Sequence, residues 1–63
     1  MVETNFILYH KLSDRYYNGK GYYTDLINSC KYESYASAEG IRLFRSCSDD
    51  WEVKKLTIRY EIE

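Results

Sequence analysis

Proline is absent from this 63-residue chain, and glycine occurs only three times. Bends must therefore come from those glycines and from Asn, Asp and Ser. Soft and imidazole ligands are scarce: Cys30, Cys47 and His10 are all there is. A closed zinc site takes four ligands, usually in close pairs, so these scattered singletons exclude one, and neither metal nor cofactor is expected. Nucleophilic catalysis needs a Cys or Ser beside a base, and no motif frames any serine. The adjacent Asp49-Asp50 pair reads as solvation and helix termination. Gly19-Lys20-Gly21 lacks the strand–loop–helix frame and the trailing Ser/Thr of a P-loop. A chain this short also has little room for a concave pocket. The expectation is a protein that is not an enzyme.

Long apolar runs are missing too. The longest is Phe6-Ile7-Leu8-Tyr9, far too short to span a membrane. The N-terminus lacks a basic segment followed by an apolar one, so no signal peptide is read there and a cytoplasmic location is expected. In a reducing cytoplasm Cys30 and Cys47 are best read as small apolar residues with free thiols.

Length indicates a single domain over residues 1–63. A domain of this size buries only ~60% of the surface its unfolded chain exposes, so its core is marginal and a homodimer is a reasonable escape. Net charge is −1, with 44% hydrophobic and 30% charged residues and no low-complexity tract, which is globular rather than disordered. The balance hides a weak polarity. Residues 11–32 hold four basic and two acidic side chains, and residues 33–63 hold five basic and seven acidic. That is less than a dedicated nucleic-acid binder shows.

What the chain has in excess is tyrosine, eight in all. Tyr16, Tyr17, Tyr22 and Tyr23 flank the stretch Asn18-Gly19-Lys20-Gly21. Tyrosine joins a large apolar body to a polar tip and is enriched at contact surfaces. One small core does not need so many, so the surplus points to a binding surface. Tyr16, Tyr17, Tyr22, Tyr23 and Tyr9 are the candidate contacts, with Lys11, Arg15 and Lys20 for steering and hydrogen bonding. The plainer alternative is that these tyrosines fill the core or stabilise one another across strands.

Residues 5–12 read as a strand, with Phe6, Leu8, His10 and Leu12 on one face and Ile7, Tyr9 and Lys11 on the other. Asn18-Gly19 is a strong type I′ hairpin signal. It would set Tyr17 opposite Lys20, Tyr16 opposite Gly21 and Tyr9 opposite Asn28. The rival is a wider loop over Ser13-Asp14-Arg15, with strands stopping near Leu12 and restarting near Gly21. In both, a second strand runs from about Gly21 to Asn28 or Cys30. Ser37 is the expected N-cap of a helix whose apolar stripe is Ala38, Ile41, Phe44 and Ser48, widened by Leu43 and Cys47, with Arg42 and Arg45 pointing away. The helix fades over residues 46–50. Leu56, Ile58, Tyr60 and Ile62 then alternate with polar residues as a strand. Trp51 and Val53 alternate in the opposite phase, which predicts a β-bulge or turn at Lys54-Lys55. The order is strand, strand, helix, strand. The fold class is α+β, a two-layer ββαβ domain with a three-stranded, mostly antiparallel sheet and one helix on one face.

That layout, with Ser37-Ala38-Glu39-Gly40-Ile41 opening the helix and Trp51-Glu52-Val53 leading into a terminal strand, resembles very short phage-encoded accessory proteins. Many of these inhibit a host enzyme or defence complex by occupying a surface, anti-CRISPR proteins among them. The resemblance implies a stoichiometric inhibitor in the host cytoplasm whose partner is a host protein or complex. It transfers no site residues, because the class shares no binding motif. Two other readings stand beside it. One is a single-stranded nucleic-acid binder using the Tyr/Lys hairpin as a stacking platform. The other is an antitoxin-like regulatory partner.

Overall fold

In the computed structural model, which describes residues 1–21 and 23–62, the first strand β1 runs Val2–His10. It stops earlier than the apolar pattern suggests. The Asp14 amide donates to the His10 carbonyl at 3.0 Å, and Asp14 adopts a φ of 56°. Asp tolerates that left-handed conformation better than most residues. Leu12 is consequently exposed in the turn and does not share the apolar face of Phe6 and Leu8.

Neither expected reading of the turn holds, because two turns follow one another with a short strand between them. The Lys11–Asp14 turn joins β1 to β2 (Arg15–Tyr17), and the Asn18-Gly19 loop joins β2 to β3 (Tyr23–Thr24). Tyr9 therefore faces Tyr16, Tyr16 faces Thr24 and Tyr17 faces Tyr23. The type I′ register is overturned because Asp14 closes the first hairpin before Asn18 is reached. In the second loop the Asn18 Oδ1 accepts from the Lys20 amide at 2.8 Å, and Gly19 has a φ of 86°. A side chain at Gly19 would also crowd Cys30, whose Cβ and Sγ lie 3.1 Å from the place a Cβ would take.

The long second strand expected from Gly21 onward is cut after Thr24. The Asp25 carboxylate accepts from the Asn28 amide at 2.9 Å, and the Ser29 hydroxyl donates to the Leu26 carbonyl at 2.6 Å. Local side-chain bonds of this kind compete with a strand ladder. The chain then returns to β1. Tyr32 and Phe6 exchange two backbone bonds of 2.8 Å, and the Cys30 amide donates to the Tyr17 carbonyl.

Helix α1 spans Tyr35–Leu43, and its N-cap is Ser34 instead of Ser37: the Ser34 Oγ accepts from the Ser37 amide at 3.1 Å. A 3-10 turn over Ser48–Asp50 leads into β4 (Trp51–Arg59). The result is one four-stranded antiparallel sheet in the order β3-β2-β1-β4, with β1 inside it. The expected three strands become four because Arg15–Tyr17 turns back as a strand of its own between β1 and β3.

No bulge interrupts β4. It pairs with β1 without a break from His10↔Trp51 to Val2↔Arg59. Trp51 and Val53 face the helix, and Leu56 and Ile58 face the other side. The change of phase at Lys54-Lys55 marks a change in which face is covered. The helix covers the first half of β4, and Leu26 and Ile27 reach the second half from the opposite side.

The helix packs on a different stripe from the apolar one. Ala38 is fully buried against Leu8 and Trp51, with Phe6, Tyr17, Tyr32 and Val53 around them. Arg42 and Arg45 follow Ala38 on the inner side and are half-buried, whereas Phe44 is 91% exposed. Helical spacing puts 38, 42 and 45 on one face, and the aromatic floor beneath suits a guanidinium. Replacing the buried Leu8 by Ala should cost ~2–5 kcal/mol, and Phe44→Ser should change stability by less than ~0.5 kcal/mol. Urea unfolding followed by Trp51 fluorescence checks this. A larger loss for Phe44→Ser than for Leu8→Ala would contradict the orientation of the helix.

Candidate functional site

The sheet has two different faces, and the tyrosine-rich hairpin region contributes to both. On the helix face, Trp51 is the hub. Tyr23 stacks on it, with centroids 5.6 Å apart and planes 4° apart, and Tyr17 meets it edge-on at 5.9 Å. His10 lies 4.8 Å from Trp51 and 4.9 Å from Tyr23. The Arg45 guanidinium sits over both Tyr17, at 4.4 Å, and Trp51, at 4.5 Å. Its Nε is buried with no hydrogen-bond partner, so ring contact is what holds that part of the cation. Tyr17 is thus a core residue.

On the open face, away from the helix, Tyr9 and Tyr16 pair across β1 and β2 with centroids 5.4 Å apart. Lys54 places its Nζ 5.5 Å from the Tyr9 ring centre and is held at 2.5 Å by Glu52. The Tyr9 hydroxyl donates to Asp14 at 2.7 Å, which raises the phenol pKa. These groups rim an open hollow of about 340 Å³ lined by Ile7, Leu26 and Leu56. A second hollow of about 290 Å³ adjoins it, sharing Leu26 and Leu56 and adding Ile27, Lys31 and Ile58. The Lys31 ammonium donates to the carbonyls of Ile27 and Ser29, at 3.1 Å each, and so braces the turn that supplies the apolar side chains.

The residues expected to form one contact patch are therefore divided. Tyr9 and Tyr16 share the open face. Tyr17, Tyr23 and Arg15 take the helix side, as alternation from His10↔Arg15 and Tyr17↔Tyr23 requires. Lys11 and Lys20 are exposed in the two turns, and Tyr22 lies outside the described residues. Leu26, Leu56, Ile58 and Lys54 belong to the open-face surface as well. The even-numbered alternation of β4 was the signal for the last three; Leu26 needed the fold, because its turn replaces a strand. Among the described residues, no group of three or more His, Cys, Asp or Glu side chains could hold a metal ion, and no helix is long and apolar enough to cross a membrane. Both thiols are free.

No family model, no curated protein and no solved structure matches this chain.

Four phenols are biased towards their neutral form. Burial, followed by a hydrogen bond with Cys30, pushes Tyr32 well up. Hydrogen bonds to Asp14, Glu39 and Glu3 raise Tyr9, Tyr35 and Tyr60 respectively. A phenol whose pKa is raised on folding keeps its proton in the native state after the unfolded chain has lost it. Its stabilising contribution is thus complete below the unfolded value of about 10 and is lost above it. Urea midpoints should hold steady between about pH 7 and 9 and fall by pH 11, with a shallower fall in Tyr32→Phe. A midpoint that rises between pH 9 and 11 would contradict this.

Proposed function

We propose that this chain is a non-enzymatic binding protein that acts by covering a surface of a partner protein, as an inhibitor or regulator does. The observation that carries the reading is the open face of the sheet. It presents the Tyr9–Tyr16 pair, two adjoining hollows lined by Ile7, Leu26, Ile27, Leu56 and Ile58, and a charged rim. An apolar floor with tyrosines and a polar rim is the composition of a protein–protein contact. The resemblance to short phage-encoded proteins extends the proposal to its target: a host enzyme or defence complex, met in the host cytoplasm.

A second reading, single-strand binding, draws support from the Lys54 ammonium over the Tyr9 ring, since a cation beside a stacking platform is how such strands are held. The local charge favours the protein reading. Lys54 is tied to Glu52, and Asp14 lies beside Tyr9. Those carboxylates would repel the phosphates that give nucleic-acid binding its strength.

The test is capture from host lysate with tagged protein, in nuclease-treated and untreated halves. A protein captured in a fixed ratio in both halves is expected. Tyr16→Ala should keep the fold by circular dichroism and weaken capture roughly tenfold or more, in line with removal of an aromatic anchor. Capture that disappears with nuclease, or that Tyr16→Ala leaves unchanged, would overturn the reading.

A further inference from the structure

Beta-strand β4 is the last strand of the sheet, and one of its edges has no neighbour among the described residues. Which backbone groups lie on that edge follows from one bond. The Tyr60 amide donates to the Met1 carbonyl at 2.9 Å. Antiparallel pairing alternates, so Leu56, Ile58 and Tyr60 direct their backbone groups towards β1, and Lys55, Thr57 and Arg59 direct theirs outward. This half of the ribbon is also thinly supported. β2 pairs only with Tyr9 and His10, and Tyr32 bridges only to Phe6, so Val2–Asn5 and Leu56–Arg59 form a projecting pair of strands. Two strands alone are marginally stable in water. The projection carries a stripe on the open face: Leu56 and Ile58 are half-buried, and Tyr60, just beyond β4, is 51% exposed.

We infer that two copies of this chain pair edge to edge through β4, antiparallel, with the two-fold axis at Ile58. Dyads at Val53 and at Tyr60 oppose unlike charges, Glu52 with Lys54 and Arg59 with Glu61, but the first reuses an ion pair already closed within each chain and the second centres beyond the end of β4. Among dyads from Lys55 to Arg59, charge selects one. A dyad at Lys55 sets Lys55 against itself, one at Thr57 sets Lys55 against Arg59, and one at Arg59 sets Arg59 against itself. A dyad at Leu56 brings no opposite charges together. A dyad at Ile58 sets Lys55 against Glu61 of the second copy, twice, and opposes no like charges. It also sets Leu56 against Tyr60 and Ile58 against Ile58, so the two apolar stripes become one. Cross-strand pairs of both kinds stabilise sheets.

The axis is normal to the sheet, because opposed residues share parity. Both open faces therefore lie on one side of an eight-stranded sheet and both helices on the other. The pairing leaves Tyr9 and Tyr16 uncovered, so it stands or falls separately from the proposed partner contact. The exposed Ile41, Leu43 and Phe44 on the outer side of α1 are the competing surface.

Sedimentation equilibrium of the full chain, up to about 1 mM, reads the outcome, since pairing along a single strand edge is at the weak end of protein association. The mass should rise with concentration towards twice 7.6 kDa. Lys55→Glu and Glu61→Lys should each weaken the dimer roughly tenfold, because each turns two attractive pairs into repulsive ones, and the two together should restore it. Phe44→Ser should leave it unchanged. In a mixed isotope-labelled sample, intermolecular nuclear Overhauser contacts should join Leu56 to Tyr60. A chain that stays monomeric across this range overturns the proposal. So does a dimer that survives both charge reversals, or one that Phe44→Ser abolishes.

Discussion

The fold depends on the cluster around Trp51. The indole is buried where four elements meet: β4, which carries it; β2 and β3, which supply Tyr17 and Tyr23; and the end of α1, beyond which Arg45 reaches back over the rings. A chain of 63 residues cannot assemble a large aliphatic core. Here Leu8 and Ala38 provide its fully buried centre, and aromatic rings extend it. Each ring covers more area than an aliphatic side chain, and its edge or face adds a directional contact. A guanidinium as a lid follows from that choice. Arginine is weakly hydrated and planar, so it can lie against two rings at a smaller desolvation cost than an ammonium.

Once the rings and Arg45 fix the helix, the rest of its surface is determined. Ala38 brings α1 close to the sheet, Arg42 bonds Glu39 and the Ser48 carbonyl, and the larger apolar residues turn outward. The same constraint frees the other side of the sheet. With one helix committed to the Trp51 side, the open face is left to the short turn carrying Leu26 and Ile27. That turn covers only part of it. The exposure of that face is thus a consequence of how the core is built.

Much of this was legible in the sequence. Alternation located β1 and β4, and the one helix fell close to where its stripe placed it. The class α+β followed from their order. Three features were not legible, each for a physical reason. Asp14 in a left-handed conformation closed a hairpin before Asn18-Gly19 could, although Asn-Gly is the stronger local signal, because Arg15–Tyr17 pairs back onto β1. Asp25 and Ser29 broke a strand through side-chain bonds that propensity does not weigh. The helix presented arginines inward, against the hydrophobic periodicity, because the floor beneath was aromatic, a fact that exists only in three dimensions. The candidate site followed the same division. Tyr9 and Tyr16 were legible from composition, but their separation from Tyr17 and Tyr23 depended on a register that the turns decided.

The arginine side of α1, and not its apolar side, packs on the sheet. Proton chemical shifts and nuclear Overhauser contacts of the folded chain in solution test it most directly. Arg45 side-chain protons should be shifted upfield by the rings of Tyr17 and Trp51, with contacts to both, and the Phe44 ring should show no contact to the sheet. Phe44 in contact with Leu8 or Trp51, with Arg45 at random-coil shifts, would contradict it.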